Sequence, residues 1–373
     1  MATKNILIIG GAGFVGSHTA DALLHQGHAV RVFDNLSQQV HGGVFPSYLS
    51  SGVEFIEGDV RDPAALTKAV VGSDVIYHLA AAVGVGQSMY EISHYTSANI
   101  QGTANLLQVI LDTKSQPEKL VIASSMSIYG EGRYVCAACG DVTPRLRSAA
   151  QLRHKQWELR CPLCHETATP RPTDEDKPLQ CSSIYALSKK AQEEMVLLFG
   201  QAYNIPVVAL RYFNIFGPRQ ALSNPYTGVA AIFASRLMNR KTPMVFEDGL
   251  QTRDFVNIHD IVQANLLAMT SAGADGTAVN VGSGQPVSVL TIATEIAHML
   301  GVEMAPKISG NYRVGDIRHC YADISRISSN LGYRPSVSLQ QGMAELVEWL
   351  ESQQAPDHTE EALDQLAARG LVA

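Results

Sequence analysis

The feature that most constrains this chain lies at its start. The short apolar run Asn5-Ile-Leu-Ile-Ile9 passes straight into Gly10-Gly-Ala-Gly13-Phe-Val-Gly16. A strand that turns on glycines into a helix sets backbone N–H groups and the positive end of the helix dipole against a pyrophosphate. A second run, Ala29-Val-Arg-Val-Phe33, ends in Asp34, which follows Gly16 by 18 positions. There a carboxylate is expected to accept hydrogen bonds from an adenosine ribose diol. It would repel a 2′-phosphate, and Asn35-Leu-Ser-Gln-Gln39 adds no basic residue, so NAD is favoured over NADP. A purely structural Asp at the strand end is the alternative. The reading places Gly10, Gly13, Phe14, Val15, Gly16, Asp34 and Asn35 on the cofactor.

Strands and helices alternate onward, as a doubly wound parallel sheet requires. Asp62-Pro63 looks like a helix cap and first residue, Asp74–Leu79 and Leu120–Ala123 like strands, and Tyr90–Asp112 like a long helix. Pro206–Leu210 reads as another strand. Beyond Asn214 the pattern is less regular, with a loop at Ser223–Gly228 and helices at about Val229–Asn239, His259–Thr270, Ser288–Leu300 and Leu339–Glu351. A helix at about Thr359–Arg369 looks like an accessory tail. We therefore expect an α/β Rossmann-type domain over residues 1–211 and a smaller substrate-binding domain over 212–373. Segments near 254–282 are expected to return to the first domain.

With 373 residues, 46% of them hydrophobic, the chain can bury a large core. Its net charge of −7 argues against general nucleic-acid binding. A first strand at residue 5 leaves no room for a signal peptide, and no uncharged apolar run is long enough to span a membrane. A cytoplasmic protein is expected.

Two further segments carry chemistry. Tyr185 and Lys189 are four apart, on one helical face. A lysine ammonium favours the phenolate of a tyrosine, ordinarily a poor base with pKa ~10. An exposed helix with an ordinary Tyr and Lys is the bland alternative. Against it stands Ser124-Ser125, which follows the strand Leu120–Ala123; a hydroxyl at the carboxyl end of a parallel strand lies where such sheets bind ligands.

Taken together, the motifs resemble the extended short-chain dehydrogenase/reductases, in their nucleotide-sugar epimerase and dehydratase branch. The matching stretches are the glycine loop, Asp34-Asn-Leu36, Gly58-Asp-Val60, His78-Leu-Ala-Ala81, Asn99, Ser125, Tyr185 with Lys189, and Arg211-Tyr-Phe-Asn214. Gly217-Pro218, Gln251-Thr-Arg-Asp-Phe-Val256 and Gly315-Asp-Ile-Arg318 complete them. The resemblance implies a catalytic set of Ser125, Tyr185 and Lys189. It adds Asp59, Val60, Leu79, Ala80, Ala81, Asn99, Ser124 and Tyr212 to the cofactor site, together with Tyr185 and Lys189 themselves. Ser125, Met126, Tyr185, Asn214, Arg253, Arg313 and Asp316 would line a sugar-nucleotide site. It also implies a homodimer in which helices near Ser97–Asp112 and Tyr185–Phe199 pair through Leu106, Leu107, Ile110, Met195 and Leu198.

Between Ser125 and Tyr185 lie Cys136-Ala-Ala-Cys139 and Cys161-Pro-Leu-Cys164. Two such knuckles match a zinc ribbon, inserted at about 134–169, with one structural zinc on Cys136, Cys139, Cys161 and Cys164. Two disulfides or four unrelated thiols are the alternatives, the former disfavoured in a cytosolic enzyme. Four thiolates leave no open coordination position. From 133 to 171 the insert carries seven Lys/Arg and three acids, either a solvated surface or an electropositive flap beside an anionic substrate.

Dehydratases of this branch carry an Asp-Glu pair directly after the active-site hydroxyl; here those positions are Met126 and Ser127, which cannot do that acid–base work. A 4-epimerase remains, oxidising the sugar at carbon 4 with NAD and re-reducing the 4-keto sugar on its other face. The segment Gln220–Phe233, with Phe246–Gly249, Thr252–Phe255 and the cysteine insert, looks like dTDP-L-rhamnose 4-epimerases, which make dTDP-6-deoxy-L-talose. A UDP-sugar 4-epimerase (UDP-glucose, UDP-N-acetylglucosamine or UDP-glucuronate) is the alternative. A 4,6-dehydratase, or a non-catalytic NAD-binding sensor that uses the ribbon for contacts, stands further off.

Overall fold

The computed structural model describes residues 2–222, 228–353 and 357–372; the loop read at Ser223–Gly228 lies, but for Gly228, outside the described residues. Seven strands form the main sheet. Their order is Thr277–Val281, Val207–Tyr212, Lys119–Ser125, Val75–His78, Asn5–Ile9, Ala29–Asp34 and Glu54–Glu57. Every neighbouring pair is parallel. This is the doubly wound sheet that the strand–helix alternation implies. Winding reverses beside Asn5–Ile9, and a ligand crevice opens beyond the carboxyl ends of the strands at such a point.

Period-2 alternation within the strands supplies both cores. Ile6, Ile8, Val75, Tyr77, Val121, Val208 and Leu210 face the helices Phe14–His25 and Ile258–Thr270, while Leu7, Ile9, Ile76, Leu120, Ile122 and Ala209 face the other side. That second side is covered by Pro63–Val70, Gly102–Asp112 and Ile184–Tyr203. Each fully buried Ile, Leu or Val contributes about 1.5–3 kcal/mol, so these strands read as continuous apolar runs. Asp62 caps its helix by accepting from the N–H groups of Ala64 and Ala65.

The helical stretch before Asp112 begins at Ile92 and contains a π-helical turn, Thr96–Gln101. On it Leu106, Leu107 and Ile110 are buried against this chain's own sheet, and Met195 packs there too. Leu106, Leu107 and Ile110 are core residues of this chain, because their helix turns its apolar stripe onto the sheet, while Met195 on the neighbouring helix is partly buried. Leu198, 65% exposed, and Leu187, 50% exposed, point outward on Ile184–Tyr203, as does Tyr203 at its end.

A third core joins the helices Val229–Met238, Val289–Met299 and Leu339–Glu351 around Phe216, Phe233, Ile292 and Leu346. Beside it, Thr252–Asn257 pairs with Asn214–Phe216, Pro286–Ser288 and His319–Cys320. Strand Thr277–Val281 and helix Ile258–Thr270 pack with the main sheet although they lie within this region in sequence. The cysteine segment forms its own three-stranded sheet, Gly140–Val142, Arg133–Cys136 and Thr169–Arg171, over a small cluster of Tyr134, Val142, Leu159 and Ala168. No described helix is long and apolar enough to cross a membrane.

Candidate active site

A cavity of about 860 Å³ runs along the carboxyl edge of the main sheet. At one end sits the glycine loop. Gly10 has φ +81°, and a Cβ there would lie 2.6 Å from Ala80 N; one on Gly16 would lie 2.4 Å from Gly10 O. Only glycine lets the strand, loop and helix close this tightly. A Cβ on Gly13 would meet nothing nearer than 3.5 Å. The Asp34 carboxylate accepts from Ala12 N at 3.1 Å and Leu36 N at 3.0 Å, so it also braces the loop. Burial pushes its pKa up, while His41 and the backbone donors oppose that. His41, 3.7 Å from Asp34, stands two positions beyond the Asn35–Gln39 stretch; burial pushes its pKa down, so it favours the neutral form. Asn35 donates to Asp59, whose carboxylate is gripped bidentately by Arg61 at 2.8 and 2.7 Å, a pair that holds its pKa down.

Phe14, Val15, Val60, Leu79, Ala80, Ala81 and Tyr212 also line the cavity; the Tyr212 hydroxyl donates to Asn265 Oδ1 at 2.6 Å. Asn99 does not line it. It is fully buried in the π-helical turn, accepting from Ala82 N at 2.7 Å and donating to Ala82 O and Ser188 Oγ. It therefore shapes the loop beneath the cavity.

Ser125, Tyr185 and Lys189 all line the cavity, and Tyr185 hydrogen-bonds to Ser125. Ser125 ends its strand and caps the short helix Met126–Tyr129, accepting from Ser127 N at 3.2 Å and Ser127 Oγ at 2.9 Å. Ser183 caps the long helix through Ala186 N, which puts Tyr185 in its first turn and Lys189 one turn on. Burial pushes the Tyr185 phenol up, opposed by hydrogen bonding to Ser125. Burial lowers Lys189 to about 7, against the pull of Glu193. Behind them Glu193 accepts from Ser124 Oγ at 2.5 Å and pairs with Arg211 through two bonds of 3.0 and 2.6 Å. Glu193, four residues after Lys189, is detectable in the sequence only as one more helix carboxylate; folding places it against the Ser124 hydroxyl and Arg211.

The far end is bordered by Met126, Asn214, Arg253, Arg313 and Asp316. Among the described residues Asn214 Oδ1, though buried, has no hydrogen-bond donor, which suits a donor on a bound ligand. Arg253 donates to Asp316 Oδ1 at 3.1 Å and to the carbonyls of Thr252, Ile317 and Arg318. Arg313 stacks 4.5 Å over the Phe246 ring. The C-terminal helix, Thr359–Ala367, is more than a tail: Thr359, Ala362, Leu363 and Leu366 wall the cavity, as does Leu371 just beyond it. It is held by Tyr90 Oη to Gln365 Oε1 at 3.0 Å, by Arg369 4.2 Å over the Tyr90 ring, and by Val314 N to Leu371 O at 3.0 Å.

The four cysteines Cys136, Cys139, Cys161 and Cys164 converge, with all sulfurs within 4.8 Å of one another and Cys136–Cys164 at 3.4 Å. A tetrahedral thiolate site with Zn–S of about 2.3 Å has sulfur edges of about 3.8 Å, so this cluster fits one zinc ion. Cys181 and Cys320 stand apart from it as free thiols.

A loop of glycines, a carboxylate at the end of the second strand and a Ser–Tyr–Lys set on one cavity belong to a Rossmann-type, NAD-dependent enzyme class. The chain belongs to the NAD dependent epimerase/dehydratase family, whose profile matches residues 6–148 and 162–282; the break falls inside the cysteine insert. The dTDP-L-rhamnose 4-epimerase of Burkholderia thailandensis is 35% identical, with 93% of this chain and 95% of that protein covered. A putative UDP-glucose 4-epimerase of Methanocaldococcus jannaschii is 31% identical, with 93% and 98% covered. The UDP-glucuronic acid 4-epimerase of Bacillus cereus, solved with UDP-glucuronic acid and NAD, superposes with a TM-score of 0.75 at 26% identity, covering 93% and 99%.

Proposed function

We propose that this protein is an NAD-dependent nucleotide-sugar 4-epimerase, an isomerase, that interconverts dTDP-L-rhamnose and dTDP-6-deoxy-L-talose. The observation that carries the reaction class is the convergence of Ser125, Tyr185 and Lys189 on the cavity that also holds Asp34 and the glycine loop. The likeness to the Burkholderia enzyme supports the sugar.

Gly10–Gly16, Asp34 and the 79–81 edge would hold NAD, which would supply a reversible hydride acceptor. Tyr185 takes the proton from the sugar 4-hydroxyl and later returns one. Ser125 holds the reacting oxygen, its own position set by Ser127. Lys189 supplies positive charge that favours the phenolate. No carboxylate follows Ser125, and Ser127 is engaged with it, so nothing there drives loss of water. Arg253, Arg313, Asp316 and Asn214 are the residues we assign to the nucleotide sugar. We assign one structural zinc to the four cysteines, a cytoplasmic location, and a homodimer that uses the outward Leu187 and Leu198 face; light scattering reads the last directly.

UDP-sugar 4-epimerisation is the second reading, favoured by the Methanocaldococcus and Bacillus likenesses. NMR of the products from a panel of dTDP- and UDP-sugars tests both. Inversion at carbon 4 of dTDP-L-rhamnose alone establishes the first, whereas a 4-keto-6-deoxy product rejects the epimerase assignment altogether.

A further inference from the structure

The cysteine insert is tied to the cavity by side chains that its metal-holding role does not need. Arg147, with only 1% of its side chain exposed, donates to Glu247 Oε2 at 2.8 Å, to the Asp316 carbonyl at 3.1 Å and to the Trp157 carbonyl at 3.2 Å. Glu158, three residues before Cys161, accepts from Arg318 at 3.0 and 2.6 Å and approaches His319 Nε2 at 3.2 Å. Arg318 is fully buried and bonds Glu247 and Asp248 as well. The base of the insert is sewn to the same stretch: Gly132 N donates to His319 O, Thr173 N to Tyr321 O, and Asp323 N to Thr173 O. Glu247 is the neighbour of Phe246, on which Arg313 stacks, and Arg313 and Asp316 border the cavity.

We infer that the insert is a positioning element of the substrate site, with Arg147 and Glu158 holding the Asp316–Arg318 segment in place for an anionic nucleotide diphosphate. The inference rests on the reading of this cavity as a nucleotide-sugar site. Neither side chain lines the cavity, so both act through others. Arg147 fixes Asp316 by its backbone and Glu247 by its carboxylate. Glu158 fixes Arg318, whose carbonyl in turn accepts from Arg253. Four cysteines that close the insert's free end thereby keep the two anchors in register with the opposite wall.

The test uses the NAD- and zinc-loaded full chain, with dTDP and UDP as calorimetric probes beside steady-state kinetics on the active sugar nucleotide. In Arg147→Met the dissociation constant of the nucleotide and KM rise together by about tenfold or more, the size expected for losing a buried charge-assisted contact, while kcat stays within about threefold. NAD and zinc contents remain those of the wild type. Arg147→Lys restores part of the affinity, and Glu158→Gln moves it in the same direction by less. Should Arg147→Met lose NAD and fail to fold, Glu158→Gln decides, since its side chain is 44% exposed. Unchanged nucleotide affinity and KM in the folded variants overturn the inference. A wild-type protein that binds neither dTDP nor UDP overturns the reading of the cavity, and the inference with it.

Discussion

On the cofactor side of the cavity, Gly10 to Asp34 span 25 consecutive residues and close one strand–loop–helix–strand unit. On the substrate side, Asn214, Arg253 and the Arg313–Asp316 turn come from three separate segments, and their backing comes from an insert that starts near Arg133. The first side is a local object: parallel strands, tight glycines and backbone donors hold it, and few side chains can change it. The second is a long-range one, assembled from buried ion pairs such as Arg147–Glu247 and Arg318–Glu247. Breaking one partner of such a pair leaves a stranded charge, so this side is the more fragile.

The largest effect belongs to neither side but to the chemistry between them. Tyr185→Phe is expected to lower kcat by about two to four orders of magnitude with NAD content unchanged, since the base is lost and the cofactor contacts stay. Near-normal turnover would defeat the mechanism. Lys189→Met tests the same centre by pH. Removing a positive charge disfavours the phenolate and raises the Tyr185 pKa, so the rising limb of kcat/KM should move to higher pH; a fixed limb would mean the lysine does not tune the tyrosine.

Asp34→Ala strikes the cofactor side alone. It removes the acceptor of Ala12 N and Leu36 N as well as the ribose partner, and each such bond to a charged group is worth about 1.5–3 kcal/mol. NAD should bind roughly ten- to a hundredfold more weakly, while calorimetry with dTDP reads close to the wild type. Cys161→Ser strikes the other side. Metal analysis should show zinc lost and KM should rise about tenfold, through the same anchors, with NAD retained. If instead NAD is lost and KM holds, the contrast between the two sides is wrong. The smallest effect is expected from Leu366→Ala. It trims apolar wall, and losing about one CH₂ of contact with the ligand, about 0.8 kcal/mol, should raise KM only a few-fold; an unchanged KM would make the C-terminal helix a bystander.

Much of the site was legible before folding because its chemistry is written in short spacings. The glycine loop, Asp34, the Tyr185–Lys189 pair and the two cysteine knuckles each need only local geometry to be recognised. Other assignments depended on packing. Leu106, Leu107 and Ile110 form an apolar stripe that suits a subunit interface or a core equally well, and the sheet of this chain covers them. Asn99 has the residue type of a ligand contact, yet a π-helical turn buries it under Ala82. The tail at Thr359–Ala367 carries no motif, and only its contacts with Tyr90 and Val314 make it a cavity wall.

By itself the sequence determined the periodic and the proximal: the two-residue alternation that gives the parallel sheet, the glycines that close the loop, and the cysteine pairs that can share a metal. Only the tertiary structure decided what lies opposite what. Arg147 meets Glu247 and Glu158 meets Arg318 across 100 and 160 positions of chain, a pairing that no local spacing encodes. The reason is physical. A buried charge must find an opposite charge, and which one it finds depends on how the cores pack, not on its neighbours in sequence.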